Sequence, residues 1–184
     1  MSSQATTRRS FLSSAALGTG LLLPGRRRSG PSEAPAEAPA GPADVTLRIG
    51  NVLADIAKDH TISTIGYNGS VPGPLMRLRE GVPVTVDLFN DTDAPELVHW
   101  HGQTIPAEVD GGEEEKSLAV AAHGHLRYRL TPAPSGARFV HTHVMPMADL
   151  AHGTYTGQFA FVYIEPKSNP GRYDQEIFLA TLNF

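Results

Sequence analysis

The sequence predicts an all-β chain folded as an antiparallel β-sandwich. Three observations carry this expectation. The 184 residues include 18 Gly and 15 Pro. Short alternating runs sit between Gly, Pro, Asn and Asp turns, and no segment carries a long 3.6-residue apolar period. A hydrophobic fraction of 40% is enough for a core, and the length fits one domain plus a tail.

The elements follow in chain order. Val45-Thr46-Leu47-Arg48-Ile49 alternates apolar and polar residues, the pattern of a half-buried strand. Val82, Val84, Val86 and Leu88 share one face of the next strand, with Pro83, Thr85 and Asp87 on the other. Asn90-Asp91-Thr92-Asp93 then turns the chain. Leu126-Arg127-Tyr128-Arg129-Leu130 alternates again, and Thr131 to Gly136 breaks it. Arg138 to Val144 and Gln158 to Glu165 read as two further strands, and Glu176 to Thr181 as the last. There is no internal repeat.

Residues 1–43 are of a different kind. Arg8-Arg9-Ser10-Phe11-Leu12 precedes a short apolar stretch from Ser13 to Leu23, the form of an export signal. It resembles the bacterial twin-arginine type, which implies delivery to the periplasm or the cell exterior. Pro31 to Pro42 is rich in Pro and Ala and reads as an extended linker that cannot bury a core. The expected organisation is a disordered signal and linker over 1–43 and a β-domain over 44–184.

Composition excludes several functions. Residues 1–43 hold five Arg against two Glu, whereas residues 44–184 hold ten Lys and Arg against seventeen Asp and Glu. The acidic body argues against a nucleic-acid partner. The chain has no Cys. That excludes a disulfide scaffold, a Cys-ligated zinc or iron–sulfur site, a thiol nucleophile and a blue-copper centre. No apolar run reaches the roughly 18 residues of a membrane-spanning helix.

Two segments carry the chemistry: Val98-His99-Trp100-His101-Gly102 and Val140-His141-Thr142-His143-Val144. Strand side chains alternate faces, so His99 and His101 point one way, as do His141 and His143. If the strands are neighbours, four imidazoles converge on one patch. Such a set without thiols suits copper or zinc. Trp100 points to the opposite face and reads as core. His123-Gly124-His125 sits at a Gly- and Ala-flanked strand entry and reads as a solvated loop. His60 and His152 lie beside turn-like sequence, and Glu113-Glu114-Glu115 reads as a solvated acidic loop.

These residues carry a family resemblance. His99-Trp100-His101-Gly102, followed forty residues on by His141-Thr142-His143, resembles the N-terminal cupredoxin domain of the laccase-like multicopper oxidases. Tyr67-Asn68-Gly69-Ser70-Val71-Pro72-Gly73-Pro74, Arg79-Glu80-Gly81, Val109-Asp110-Gly111 and Gly153-Thr154-Tyr155-Thr156-Gly157 are similar to family segments in the same order. The likeness covers residues 44–181. It implies a cupredoxin Greek-key sandwich holding part of a three-copper cluster. By that resemblance His99 would bind the type 2 copper. His101 and His141 would share one type 3 copper, and His143 would bind the other. Asp110 matches an acid that supports the type 2 site and proton delivery; as an Asp before Gly it also fits a plain turn. The full enzyme would oxidise a phenolic, aromatic or metal-ion reductant and reduce dioxygen to water.

The chain departs from the family in one respect. The family's last domain supplies further histidines and the Cys of the electron-accepting copper, and this chain has no Cys and only His152 after His143. The expectation is a fragment, an early-terminated product or one part of a split enzyme, inactive alone and completed by further cupredoxin domains or a second chain. A free-standing periplasmic copper-binding module is the non-enzyme alternative. A cupin-type metal enzyme ranks third, because Glu108 and Pro134-Ser135-Gly136 fall at the wrong spacings for its motifs.

Overall fold

The computed structural model describes residues 40–112, 116–145, 152–168 and 171–182. The expected export signal and nearly all of the linker lie outside the described residues, as do Glu113 to Glu115. Among the described residues, eight strands form two four-stranded sheets. They are β1 (Val45–Ala57), β2 (His60–Tyr67), β3 (Met76–Arg79), β4 (Val84–Asn90), β5 (Val98–His101), β6 (His125–Leu130), β7 (Gly136–Thr142) and β8 (Phe159–Glu165). One sheet has the order β2-β1-β4-β6 and the other β3-β8-β7-β5. A four-residue helix α1 (Ala107–Asp110) follows β5.

Alternation places the core between the sheets. Leu47 and Ile49 on β1, Tyr67 on β2, and Val86 and Leu88 on β4 are buried from one side. Trp100, Val140, Ala160, Val162 and Ile164 are buried from the other. Two pairings, β1 with β4 and β3 with β8, are parallel, a distinction that alternation alone does not encode. Asn90 is fully buried and shapes its expected turn. Its Oδ1 accepts from the Thr92 N–H at 2.9 Å and the Thr92 hydroxyl at 2.7 Å.

Several expected elements differ. Glu176 to Thr181 forms no strand. The edge of β8 that could receive it is taken by β3, so its backbone joins no ladder. Ile177 is 67% and Leu179 85% exposed, and Phe178 alone of that apolar set packs, against the rings of Phe161 and Tyr163. The strand expected from Arg138 to Val144 ends at Thr142, where its registered ladder with β5 ends at Val98; the His143 N–H still donates to the Leu97 carbonyl at 3.1 Å. The strand expected from Val82 starts at Val84, and Val82 is exposed. Its second face is also covered: Asp87 is buried under Arg127 and His125 of β6. β1 runs on to Ala57 and pairs with β2, a hairpin whose polar faces gave no alternating signal.

Trp100 is the largest fully buried side chain, and its indole N–H donates to the Tyr128 hydroxyl at 2.8 Å across the sandwich. Trp100→Ala should therefore lower unfolding free energy by about 3–5 kcal/mol. Tyr128→Phe, which removes only the acceptor, should cost about 1–3 kcal/mol. Urea unfolding followed by far-ultraviolet circular dichroism measures both.

Candidate metal centre

The β5–β7 pairing builds the site. The register sets Val98 opposite Thr142, His99 opposite His141, Trp100 opposite Val140, and His101 opposite Phe139. Val98, Trp100, Val140 and Thr142 are buried between the sheets. The alternate residues His99, His101 and His141 therefore stand together on the outer face. Ring centroids lie 5.5 Å apart for His99–His101, 5.3 Å for His99–His141 and 5.5 Å for His101–His141. One ring nitrogen from each falls within 4.8 Å of the others. His143, one residue past the end of β7, brings its ring to 5.0 Å from His99 and 5.8 Å from His141.

Each imidazole is oriented by its surroundings. His99 Nδ1 lies 2.8 Å from the Asp110 carbonyl and 3.3 Å from Asp110 Oδ2. Donation of Nδ1–H to that carbonyl leaves Nε2 free as a ligand. Asp110 reaches this place because α1 ends at Gly111, whose φ is +82°. A Cβ there would lie 2.2 Å from the Val98 carbonyl oxygen and 2.6 Å from the His99 nitrogen. Only glycine lets this loop close on β5. Asp110 is thus both a helix end and a direct neighbour of His99.

His141 donates Nδ1–H to the Thr142 carbonyl at 2.7 Å and aims Nε2 at His101 Nδ1, 3.4 Å away. Two imidazoles on one tetrahedral ion at bond lengths near 2.0–2.1 Å place their nitrogens about 3.3 Å apart. The spacing therefore fits a shared metal. His101 is steadied by stacking on Phe139, with centroids 4.3 Å apart and planes 15° apart. The exposed His143 is tied by its backbone N–H to the Leu97 carbonyl at 3.1 Å. A donor set of neutral imidazoles suits copper or zinc rather than a hard cation. Burial, reinforced by the neighbouring histidines and opposed by the Thr142 hydrogen bond, pushes His141 down to about 4. It is uncharged at neutral pH, as a ligand must be.

The other sequence candidates lie elsewhere. His125 opens β6, stacks on Phe89 at 4.4 Å and sits 3.0 Å from Asp87 Oδ1. His123 contacts Asp93 at 2.8 Å. His125 meets Asp87 on the neighbouring strand β4 and His123 meets Asp93 in the loop after β4, and neither joins the cluster. His60 is exposed, with Nδ1 near the Lys58 carbonyl. Trp100 packs in the core, as expected. Sequence reading passed over Glu96, which is 2% exposed directly beneath β7. An acid abutting the apolar pair Leu97-Val98, three residues before His99, was the available signal.

Comparison with known proteins agrees with this geometry. A family model described as multicopper oxidase matches residues 49–169, which include all four clustered histidines and Asp110. The chain is 32% identical over 115 residues to a multicopper oxidase of Mycobacterium tuberculosis, covering 62% of this chain and 21% of that protein. It is 30% identical over 176 residues to copper resistance protein A of Pseudomonas syringae pv. tomato, covering 93% of this chain and 28% of that protein. Among solved structures, a multicopper oxidase from Pseudomonas thermotolerans superposes with a TM-score of 0.60 at 25% identity, over 69% of this chain and 31% of that one. The blue copper oxidase from Nitrosomonas europaea gives 0.59 at 27% identity, over 67% and 39%. The chain thus spans between about a fifth and two fifths of these relatives.

The His141 environment makes a pH prediction for the metal-free protein. An unfolded His titrates near 6.5, above the folded value, so the unfolded chain takes up the proton first. Stability should fall as pH drops from about 6.5 to about 4, with no His141 contribution above that window. NMR titration of the imidazole resonances should find His141 still neutral at pH 5. A His141 midpoint near 6.5 would contradict the buried environment.

Proposed function

This chain belongs to the multicopper oxidase family, and from that premise we propose that its sandwich is the first copper-binding domain of an exported oxidase, supplying half the ligands of a three-copper cluster. The carrying observation is the β5–β7 register, which sets His99 against His141 on one exposed face. In this reading His99 Nε2 holds the type 2 copper. His101 Nδ1 and His141 Nε2 hold one type 3 copper, and His143 holds the other. Their 3.4 Å separation favours the shared ion. Copper bound there would supply the redox chemistry, carrying electrons from a phenolic, aromatic or metal-ion reductant to dioxygen, which leaves as water.

The chain's own residues do the preparatory work. The Asp110 carbonyl keeps His99 in the tautomer that presents Nε2, and its carboxylate, 3.3 Å from His99 Nδ1, can hold a proton beside the cluster. Burial keeps His141 uncharged. Four imidazoles cannot fill three copper coordination shells, so the remaining ligands come from further cupredoxin domains or a complementing chain. Without a Cys in this chain, the copper that accepts substrate electrons also lies on another domain. Export is read from Arg8-Arg9, which opens a signal-like segment; no described helix is long and apolar enough to cross a membrane.

Two experiments test this reading. Calorimetric titration should find Cu(II) bound more tightly than Zn(II), following the usual affinity order. Alanine at His99, His101, His141 or His143 should weaken Cu(II) by tenfold or more, and alanine at His123 or His125 should change it less than twofold. The opposite ranking would overturn the ligand assignment. For export, replacing Arg8 and Arg9 with Lys should retain the precursor in the cytoplasm. Unaltered delivery outside the cytoplasm would contradict the twin-arginine route.

A further inference from the structure

We propose that Glu96 is a positioning residue for the histidine cluster, its buried carboxyl gripping Thr142 and so fixing the direction in which His141 and His143 leave β7. Glu96 is 2% and Thr142 1% exposed. Glu96 Oε2 accepts from the Thr142 hydroxyl at 3.0 Å and from Gln158 Nε2 at 3.0 Å. The Glu96 backbone is itself anchored, exchanging two hydrogen bonds of 2.9 Å with Val120. The acceptor is therefore rigid.

Thr142 is the node between the two histidines. Its carbonyl accepts from His141 Nδ1 at 2.7 Å. Its hydroxyl, having given its proton to Glu96, accepts from the Val144 N–H at 3.2 Å, just beyond His143. The β5–β7 ladder ends at the Val98–Thr142 pair and the β7–β8 ladder at the His141–Phe159 pair. Past Thr142 the paired register ends, and the His143 N–H to the Leu97 carbonyl at 3.1 Å carries the backbone one residue further without fixing the turn at Val144. A hydrogen-bonded acid under Thr142 fixes that turn, since its acceptor oxygen fixes the hydroxyl and the hydroxyl fixes the next turn of backbone. Core filling alone does not require an acid, whereas the buried Thr142 hydroxyl and Gln158 amide do require an acceptor here. Partners one shell out from a metal ligand set its aim, and their loss weakens metal binding by about 10–100-fold.

The inference rests on the copper reading for its metal arm only. Glu96→Leu and Glu96→Gln in the full 184-residue chain separate positioning from packing. Glu96→Leu, which leaves the buried Thr142 hydroxyl and Gln158 amide without their acceptor, should melt below the parent, bind Cu(II) about 10–100-fold more weakly and broaden or shift the His141 and His143 ring resonances of the metal-free protein. Glu96→Gln, which keeps an acceptor oxygen for Thr142, should restore affinity to within about threefold of the parent, a partial retention expected of a neutral acceptor. Thr142→Val should lose affinity as Glu96→Leu does, and Thr142→Ser should not, so the test survives a Leu variant that fails to fold. Parent-like Cu(II) affinity and unshifted ring resonances in both Glu96→Leu and Thr142→Val would overturn the proposal. A parent chain that binds no copper would instead overturn the copper reading, and the metal-free resonances would still decide the role of Glu96.

Discussion

The site depends on the antiparallel register of β5 against β7. Strand side chains alternate with a period of two, so a slip of one residue would exchange the faces of an entire strand. The inward set is Val98, Trp100, Val140 and Thr142, all buried. A slip would expose the indole of Trp100 and drive imidazoles into an apolar core, each change costing several kcal/mol. The register is therefore held by the hydrophobic side of the sheet, and the histidines are placed by consequence. Stability and chemistry are divided between the two faces of the same two strands.

Loops then refine what the register places. The α1 turn closes on β5 only because Gly111 has no side chain to strike the Val98 carbonyl, and that closure brings Asp110 to His99. On the other strand, the Glu96–Thr142 contact continues order past the point where the ladder stops. Backbone acceptors hold His99 and His141 at Nδ1. The remaining nitrogen of His141 faces His101, and burial reinforced by the neighbouring histidines disfavours a proton on it.

Much of this was legible in the sequence. Two His-x-His runs among β-branched and apolar residues fix the shared face of each pair, and the alternation in β1 and β6 marks those strands by inspection. Other parts depend on long-range partners that local pattern does not specify. Glu176 to Thr181 is a short apolar run that reads like a strand, but the β8 edge is occupied by β3, so it forms no strand. β7 stops at Thr142, where its registered ladder with β5 ends. Asp87 reads as a solvent-facing residue until Arg127, forty positions away, covers it with a charge-assisted pair. That pair holds the Asp87 carboxyl down at about 2. Glu96 was passed over for a related reason: the donors that explain its burial come from β7 and from the segment entering β8.

The cluster occupies an outer face, with His101 and His143 exposed, and the relatives that share this domain are several times longer. Both facts accord with a half-site completed from another domain. The most direct test of the central claim is a crystal structure of the copper-loaded protein with anomalous data at the copper edge. The account predicts anomalous density between His101 Nδ1 and His141 Nε2, with a further ion at His99 Nε2 once its other ligands are supplied. Copper found instead at His123, His125 or His60, with the space between His101 and His141 empty, would contradict it.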